Sequence, residues 1–269
     1  MASGRMAGKT IIIFGGGSQK GEMNNGLAAA LTYAQEAADV FVVDASERAL
    51  ANTLQCLDSE GPAGGKWGGA VADVSDSDAV KASVEECVAL LGNPHVLHNN
   101  VGIARMGGPV EMSLEEWKFV LDINLTGAFL STKHVLPLFL EQGGGSIVNI
   151  ASIGGLRYLG YNYPSYSASK GGLIQFTVNV ALEYAAQGIR ANSIAPGLME
   201  TPMMYKQISG SYESVEAMVA ARNKLSPTGK MGDSFDVARA ALFLASDDAG
   251  YINGVCLPVD GGLSAAVTH

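Results

Sequence analysis

Short apolar segments alternate with longer segments of helical periodicity along the whole chain of 269 residues. Most of the short segments are continuously apolar, and each is bounded by Gly, Asp, Asn or Pro. Continuously apolar strands are typical of a parallel sheet that is covered by helices on both faces. The pattern predicts seven strands: Thr10–Phe14, Val40–Val43, Trp67–Ala72, Val96–Asn99, Ser146–Ile150, Arg190–Ile194 and Val255–Val259.

The longer segments between these strands have the period of an α-helix. Seven helices are predicted: Gly26–Ala37, Glu47–Leu57, Ala79–Leu91, Leu114–Glu141, Ser165–Ala186, Val215–Lys224 and Phe235–Ala245. Regular alternation of strands and helices predicts an α/β fold, here a single-domain Rossmann-type doubly wound parallel sheet of about seven strands with helices on both faces. Since the composition marks no linker, residues 1–269 are interpreted as one domain.

Charge and cysteine content narrow the partners and the compartment. The chain has 17 Lys and Arg against 26 Asp and Glu, a net charge of −9, which disfavours nucleic acid and anionic membranes as partners. Cys56, Cys87 and Cys256 are odd in number and far apart, which is typical of a reducing compartment. The start lacks the apolar stretch of a signal peptide, and no run approaches roughly 18 apolar residues. We therefore expect a cytoplasmic protein without a membrane span or a metal site.

A glycine-rich turn follows the first predicted strand. Gly15-Gly16-Gly17-Ser18 leads to Asn24-Asn25-Gly26-Leu27 at the start of a predicted helix. Glycines let the backbone approach a pyrophosphate, and a helix N-terminus offers free N–H donors and a positive dipole end. A plain tight turn is the alternative, but the position between the first strand and a helix favours a dinucleotide site. Lys20 either reaches a phosphate or is solvated, and we favour the solvated state.

The next three strands also end on polar residues. A carboxylate at Asp44 would bind the adenosine ribose and repel a 2′-phosphate, so NAD is favoured and NADP less so. Asp44 could also cap the helix that follows it. Asp73-Val74 ends the third strand, where Asp73 would bind the adenine amino group. Asn99-Asn100-Val101-Gly102 after the fourth strand is a turn that would wall the cofactor.

Tyr166 and Lys170 are the candidate catalytic pair. Their spacing of four residues places both side chains on one face of a predicted helix. A free tyrosine has a pKa of about 10, and a nearby ammonium group lowers the tyrosine pKa by favouring the phenolate. Such a tyrosine is suited to general acid–base work on an alcohol proton.

Two polar residues upstream complete a catalytic set. Ser152 ends the fifth strand and offers a hydroxyl for a substrate oxygen, or it caps a turn. Asn124 lies inside a helical pattern, where its side chain competes for backbone hydrogen bonds. A local kink that holds a water would explain Asn124, and a satisfied polar group in the core is the alternative.

In this order and at these spacings, the residues resemble the short-chain dehydrogenase/reductase family over essentially the full chain. The motifs that carry the resemblance are Gly15-Gly16-Gly17-Ser18 with Gly26, Asp73-Val74, Asn99-Asn100-Val101-Gly102, Asn124, Ser152, Tyr166 with Lys170, Pro196-Gly197-Leu198-Met199-Glu200-Thr201, and the tail from Gly254 to Asp260-Gly261-Gly262.

The resemblance implies a role for each matched residue. Tyr166 would exchange the proton with the substrate hydroxyl, and Lys170 would hold the nicotinamide ribose and lower the pKa of Tyr166. Ser152 would orient the substrate oxygen, while Asn124 would anchor a water relay from Lys170 to solvent. Thr201 and the backbone near Ile194–Gly197 would hold the nicotinamide carboxamide. The expected cofactor contacts are Gly15, Gly17, Ser18, Gly26, Leu27, Asp44, Asp73, Val74, Asn100, Val101, Gly102, Tyr166, Lys170, Pro196, Gly197, Met199 and Thr201.

The sequence also departs from the family pattern. Phe14 replaces the usual Thr before the glycines, and the stretch from Ser18 to Asn25 is several residues longer. Val101 stands where the family usually has Ala, and Tyr166 lies one residue further from Ser152 than is commonest.

Two segments are expected to shape the substrate site. Gly154–Ser165 is rich in Leu and Tyr with a single Arg157, and Leu198–Lys230 carries Met199, Met203, Met204, Tyr205 and Ile208. The resemblance implies that residues 198–230 form a mobile substrate lid. Apolar linings fit a moderately large, largely apolar alcohol or ketone, although these side chains could instead pack at subunit contacts. Arg157 could bind a substrate carboxylate, but a solvated Arg157 is favoured. The candidate substrate residues are Ser152, Gly154, Leu156, Tyr163, Met203 and Met204.

The favoured function is an NAD-dependent oxidoreductase that interconverts a secondary alcohol and a ketone. The alternatives are an NADPH-dependent carbonyl reductase of the 3-oxoacyl type, an enoyl reductase and a non-catalytic NAD-binding sensor. An enoyl reductase ranks low because such relatives place their Tyr and Lys further apart than Tyr166 and Lys170. A sensor needs no proton relay. The resemblance further implies a homotetramer of two-fold symmetry.

Overall fold

The computed structural model describes residues 4–207 and 212–266, and Ile208 of the expected lid lies outside these ranges. Its centre is a seven-stranded sheet in the order β3-β2-β1-β4-β5-β6-β7, with every neighbouring pair parallel. The strands are β1 (Thr10–Phe14), β2 (Asp39–Asp44), β3 (Trp67–Val71), β4 (Val96–Asn99), β5 (Gly145–Ile150), β6 (Ile189–Pro196) and β7 (Cys256–Val259). The predicted fold class is confirmed.

Helices connect the strands and cover the sheet. They are α1 (Asn25–Gln35), α2 (Glu47–Glu60), α3 (Ser77–Leu91), α4 (Leu114–Leu121), α5 (Gly127–Gln142), α6 (Pro164–Glu183), α7 (Pro202–Gln207), α8 (Val215–Leu225) and α9 (Ser234–Ala245). A π-helical turn (Asp122–Thr126) joins α4 to α5, and short 3₁₀ turns include Ile153–Gly155 after β5.

Both faces of the sheet are buried, as continuously apolar strands require. Alternate residues of β1 point to opposite sides: Ile11 and Ile13 belong to one core cluster, whereas Ile12 and Phe14 belong to the other. The first cluster includes residues of α1 and α9, and the second includes residues of α3 and α5. The chain therefore forms three layers, with the sheet between two helical layers.

The strand order reverses between β1 and β4, which pair with each other in the middle of the sheet. Phe14 at the end of β1 is in register with Val43 of β2 and Asn99 of β4. The carboxyl ends of these strands meet at one edge of the sheet, where doubly wound folds bind their ligands.

The helix boundaries differ from the sequence prediction in a few places with clear local causes. The predicted helix Leu114–Glu141 is interrupted by the π-helical turn around Asn124. Side-chain caps set earlier helix starts than expected, with Asp76 bonded to the N–H of Asp78 and Ala79 ahead of α3. Helix α7 begins with Pro202 inside the segment 198–230, where no separate helix was predicted.

Cys56, Cys87 and Cys256 are free thiols. Among the residues that the structure describes, no helix has the length and apolarity needed to cross a membrane.

Candidate active site

The turn after β1 requires glycine at two of its positions. Gly15 has φ +79°, and a Cβ on it would lie 2.9 Å from the backbone nitrogen of Val101. A Cβ on Gly26, at the start of α1, would lie within van der Waals overlap of the carbonyl oxygen of Gly15, at 2.3 Å. The strand end and the helix N-terminus can approach this closely only without side chains. The same bare backbone next to a helix N-terminus fits a dinucleotide phosphate.

The lengthened loop after Gly17 is tied down by its own polar groups. Asn24 caps α1 by accepting from the N–H of Leu27, and its Nδ2 donates to the carbonyl of Gly17. The Ser18 hydroxyl donates to the carbonyl of Glu22, and the Ser18 N–H donates to the carbonyl of Ala49. Ser18, an expected cofactor contact, thus uses its hydroxyl within the loop and its N–H on α2. Lys20 is exposed, in agreement with the solvated alternative.

Asp44 joins the end of β2 to this turn. Its carboxylate accepts from the N–H of Gly17 at 3.0 Å and from the N–H of Ser46 at 2.9 Å. The alternative in which Asp44 caps α2 is wrong, because Ser46 is the N-cap and bonds to the N–H of Ala49. A half-buried carboxylate thus lies beside the glycine turn, where it makes the local potential negative.

The remaining residues of the expected cofactor site lie at the same edge of the sheet. Asp73 is exposed and accepts from the N–H and hydroxyl of Ser75. Asn100 donates through Nδ2 to the carbonyl of Gly15 at 2.7 Å, which fixes the turn after β4 against the turn after β1. A Cβ on Gly102 would lie 3.0 Å from Nζ of Lys170. The cofactor turn therefore touches the catalytic lysine.

Lys170 lies on α6 and points to the carboxyl end of β5. Its Nζ donates to the carbonyl of Ile150 at 2.8 Å and to the carbonyl of Val101 at 3.3 Å. The residue is 2% exposed, and burial lowers the pKa of Lys170 to about 8. The lysine is thus held by two backbone carbonyls without a carboxylate partner among the described residues.

Tyr166 lies one helical turn before Lys170, as its spacing predicted. Nζ of Lys170 is 6.0 Å from the centre of the Tyr166 ring. Burial raises the pKa of Tyr166, and a hydrogen bond with Ser152 opposes this rise. The pKa of Tyr166 is thus raised and not lowered as expected, because desolvation of the buried phenolate is its largest influence. Lys170 directs its protons to carbonyl oxygens instead, and desolvation of the phenolate dominates.

Ser152 follows β5 and faces Tyr166. Its Oγ accepts from the N–H of Gly154 at 3.0 Å and caps the 3₁₀ turn Ile153–Gly155. A Cβ on Gly154 would lie 3.3 Å from this Oγ and 3.5 Å from Cε1 of Tyr166. The serine hydroxyl and the tyrosine ring therefore border the same small space, and Ser152 also caps the turn.

Asn124 is the buried residue of the π-helical turn. Its Oδ1 accepts from the N–H of Ile103, and its Nδ2 donates to the carbonyl of Ile103 and to the hydroxyl of Ser169. Ser169 in turn donates to the carbonyl of Tyr166. The side chain of Asn124 is a satisfied core amide that joins the turn after β4 to the catalytic helix, as its alternative reading anticipated. The π-helical turn supplies the local irregularity expected at this position.

The expected substrate residues fall into a buried and an exposed group. Tyr163 is buried and packs edge-on against Tyr166 with ring centres 5.2 Å apart, while Gly154 borders both Ser152 and Tyr163. Met204 is buried, and Met203 is largely exposed. The other expected residues near this side are the half-buried Leu156 and Thr201, the buried Met199 and Pro196, and Gly197, whose N–H donates to the carbonyl of Val259.

Sequence reasoning missed the residues that position the catalytic groups through their backbone. The carbonyls of Ile150 and Val101 hold Lys170, and Ile103 holds Asn124. Backbone atoms leave no signal in residue type. Arg222 was also missed, because a single arginine in a helical segment reads as an exposed charge, although it is buried.

Comparisons with known proteins find relatives along nearly the whole chain. A family model described as Enoyl-(Acyl carrier protein) reductase matches residues 24–264. The crystal structure of a putative short-chain dehydrogenase/reductase from Burkholderia xenovorans is 41% identical, with a TM-score of 0.90 over 98% of this chain and 100% of that chain. The 3-oxoacyl-[acyl-carrier-protein] reductase FabG of Thermotoga maritima is 38% identical over 96% of this chain and 99% of that protein. Cyclohexanol dehydrogenase of an Acinetobacter strain is 35% identical over 98% of each.

Proposed function

The chain belongs to the short-chain dehydrogenase/reductase family, whose members are nicotinamide-dependent oxidoreductases, and we propose that it interconverts a secondary alcohol and a ketone with NAD(H). One observation carries this proposal: Ser152 and Tyr166 border one space, and Lys170, one helical turn from Tyr166, contacts the turn after β4 that Asn100 fixes against the glycine turn. Proton-transfer groups and a cofactor cradle at one sheet edge are what hydride transfer to a carbonyl carbon needs.

The residues divide the chemistry among them. A nicotinamide ring supplies the hydride acceptor or donor when it is bound. Tyr166 exchanges the proton of the substrate oxygen, and the hydroxyl of Ser152 donates to that oxygen and orients it. Lys170, fixed by the carbonyls of Ile150 and Val101, holds the nicotinamide ribose and places a positive charge near the phenolate. Asn124 holds the catalytic helix in register and lines the route of a proton relay toward solvent.

The raised pKa of Tyr166 favours the protonated phenol over the phenolate. The phenol is protonated at neutral pH, which suits proton donation during ketone reduction. Alcohol oxidation needs the phenolate, so its rate rises with pH.

Asp44 supports NAD as the cofactor. Its carboxylate lies beside Gly17 and bonds to the N–H groups of the turn, where a 2′-phosphate would meet a like charge. Lys20, the candidate phosphate ligand on the lengthened loop, is exposed.

A moderately large and largely apolar substrate fits the lining. Tyr163 and Met204 are buried on the substrate side, and Leu156 and Met203 lie nearer its rim. The Acinetobacter relative acts, by its name, on cyclohexanol, which supports a ring alcohol. We further propose that residues 198–230 act as the substrate lid and that the enzyme is a homotetramer. Exposed apolar side chains on α4 and α5, among them Phe119 and Phe129, would be covered in such an assembly.

The alternative is an NADPH-dependent reductase of the 3-oxoacyl type, which the Thermotoga relative favours. A screen of secondary alcohols with NAD⁺ and with NADP⁺, following cofactor reduction, separates the two. Turnover of a ring alcohol with NAD⁺ supports the proposal, whereas a strong preference for NADPH and 3-oxoacyl thioesters supports the alternative. Light scattering tests the tetramer.

A further inference from the structure

Arg222 is a buried arginine in the segment 198–230, outside the catalytic set. It lies on α8 four residues after Met218, so both side chains share one face of that helix. Met218 is fully buried and Arg222 is 4% exposed. Met218 belongs to a small apolar cluster with Leu198, Met204 and Met231, which fixes this face of α8 against the body of the segment. The guanidinium is therefore held in place and is not a solvated charge.

The guanidinium has few partners for a buried cation. Nη1 donates to the hydroxyl of Tyr161 at 3.0 Å, and Nε points to Sδ of Met231 at 3.3 Å. Within residues 4–207 and 212–266, Arg222 forms no ion pair, and its Nη2 makes no hydrogen bond. Guanidinium carries five N–H donors, and burial of a charge without a counterion is costly. The site thus has a positive charge and unused donors that an anion would satisfy.

A ladder of aromatic rings connects this cation to the catalytic residues. Tyr161 stacks on Tyr163 with ring centres 5.7 Å apart, and Tyr163 packs against Tyr166 at 5.2 Å. The hydroxyl of Tyr163 and Oγ of Ser152 lie 3.4 and 3.3 Å from the position that a Cβ on Gly154 would take. Arg222 and Tyr161 thus belong to the two segments expected to shape the substrate site, and two aromatic side chains separate Arg222 from Tyr166.

We propose that Arg222, together with the hydroxyl of Tyr161, binds a carboxylate of the substrate. This rests on the proposed function and narrows its substrate class to hydroxy acids and the corresponding oxo acids. The planar fork of a guanidinium matches a carboxylate in two parallel hydrogen bonds. Since two rings separate Arg222 from Tyr166, the carboxylate is several bonds away from the carbon that exchanges the hydride. A 2-hydroxy acid is too short to reach both.

Tyr212 and Arg157 are the other polar side chains to consider as carboxylate ligands near these tyrosine rings. The hydroxyl of Tyr212 lies 3.4 Å from that of Tyr161 and places a further hydroxyl beside Arg222 and Tyr161. Arg157, the carboxylate ligand considered from the sequence, is exposed and donates to the carbonyl of its own neighbour Leu156. Arg222 and not Arg157 therefore carries the recognition.

The kinetic test compares acids with their neutral esters. Hydroxycyclohexanecarboxylates with the carboxylate at ring position 2 or 4 are each assayed with NAD⁺ against the matching methyl ester. The wild type should prefer the 4-substituted acid over its ester by about tenfold to a hundredfold in kcat/KM, mainly through KM, as expected for loss of a charge-assisted hydrogen bond. It should show no such preference at position 2.

The variants locate that preference. In Arg222→Gln the ratio of acid to ester should fall to near one, and in Arg222→Lys it should be partly retained. Arg157→Gln is the matched control and should keep the wild-type ratio. A ratio taken within one variant is insensitive to partial loss of folded enzyme. Equal use of acid and ester by the wild type, or loss of the preference in Arg157→Gln, would overturn the proposal.

A binding test separates this inference from the proposed function. Cyclohexanecarboxylate has no hydroxyl and cannot react, so calorimetry with and without NAD⁺ reports recognition alone. We expect binding to the wild type, binding weakened about tenfold or more in Arg222→Gln, and no binding of neutral cyclohexanemethanol at the same concentration. If no alcohol is turned over but this pattern holds, the proposed function fails and the carboxylate site stands. If Arg222→Gln alters only the oligomeric state measured by light scattering, Arg222 pairs with a neighbouring subunit and the proposal is wrong.

Discussion

Replacing Lys170 with methionine should change how folding stability depends on pH. Burial lowers the pKa of Lys170 from 10.5 to about 8 in the folded protein. Between these two values the unfolded chain binds more protons at this position than the folded chain does. Above pH 10.5 this group therefore does not reduce the free energy of unfolding. As the pH falls from 10.5 to 8, the group lowers the free energy of unfolding progressively.

The size of this effect follows from the shift. Each pKa unit corresponds to about 1.36 kcal/mol, so the buried ammonium costs about 3 kcal/mol below pH 8. About 2.5 kcal/mol of that cost is recovered between pH 7 and pH 10, because the unfolded lysine is still mostly protonated at pH 10. Methionine has no charge to desolvate. It also cannot donate to the carbonyls of Ile150 and Val101, but that loss does not depend on pH.

Urea unfolding of the cofactor-free protein measures this at a fixed protein concentration from pH 7 to pH 10. The quantity of interest is the free energy of unfolding of the wild type minus that of Lys170→Met. Buried groups with raised pKa values, such as Tyr33 and Cys87, titrate in both proteins and cancel in this difference. The difference should rise by about 2.5 kcal/mol in favour of the wild type. Lys133→Met, at an exposed position on α5, should show a constant difference, and a constant difference for Lys170→Met as well would refute the reasoning.

Three further substitutions test the site. Tyr166→Phe removes the proton-exchanging hydroxyl and should lower kcat for alcohol oxidation by about 10² to 10⁴ while NAD⁺ still binds, as followed by fluorescence titration; unchanged turnover would contradict the catalytic assignment. Asp44→Asn removes a negative charge beside the glycine turn and should raise the ratio of NADP⁺ to NAD⁺ use in kcat/KM by about tenfold, whereas an unaltered ratio would contradict the role of Asp44. Asn124→Ala leaves the N–H and carbonyl of Ile103 and the hydroxyl of Ser169 without their Asn124 partner. It should lower the free energy of unfolding in urea by about 3 kcal/mol, against about 1 kcal/mol for Ser169→Ala. Equal effects of the two substitutions would contradict a central role for Asn124.

Much of the fold could be predicted from the sequence, because its elements are set by local patterns. The continuous apolar run Thr10–Phe14 is buried at every position, as a strand covered on both faces must be. Helix Leu114–Glu141 could not be predicted in its true form, since the π-helical turn around Asn124 depends on contacts with Ile103 and Ser169 that are distant in sequence. The residue pattern of a segment predicts its local structure, but it does not show which distant residues contact that segment and change its helical geometry.

The catalytic positions could be predicted for a related reason, and their electrostatics could not. Tyr166 and Lys170 are one turn apart on α6, so their shared face follows from helix geometry alone. The pKa of Tyr166 is a property of its surroundings, where burial raises it and outweighs the hydrogen bond with Ser152. The hydrogen bond from the Ser18 hydroxyl to the carbonyl of Glu22 is likewise a contact within the loop that residue type alone does not indicate.

The residues proposed for proton exchange and those proposed for carboxylate binding are held in place by different parts of the structure. Lys170 is held by the carbonyl of Ile150, at the end of β5 in the middle of the sheet. Arg222 belongs to α8, which packs in the separate small cluster that contains Met218 and Met231, and it is linked toward Tyr166 through Tyr161. Substitutions in that cluster can change the charge and shape seen by the far end of a substrate without moving the groups that exchange the proton. Loss of Arg222 should therefore act on KM for acids, whereas loss of Tyr166 should act on kcat for every alcohol, and this difference in kinetic signature is the sharpest separation of the two roles.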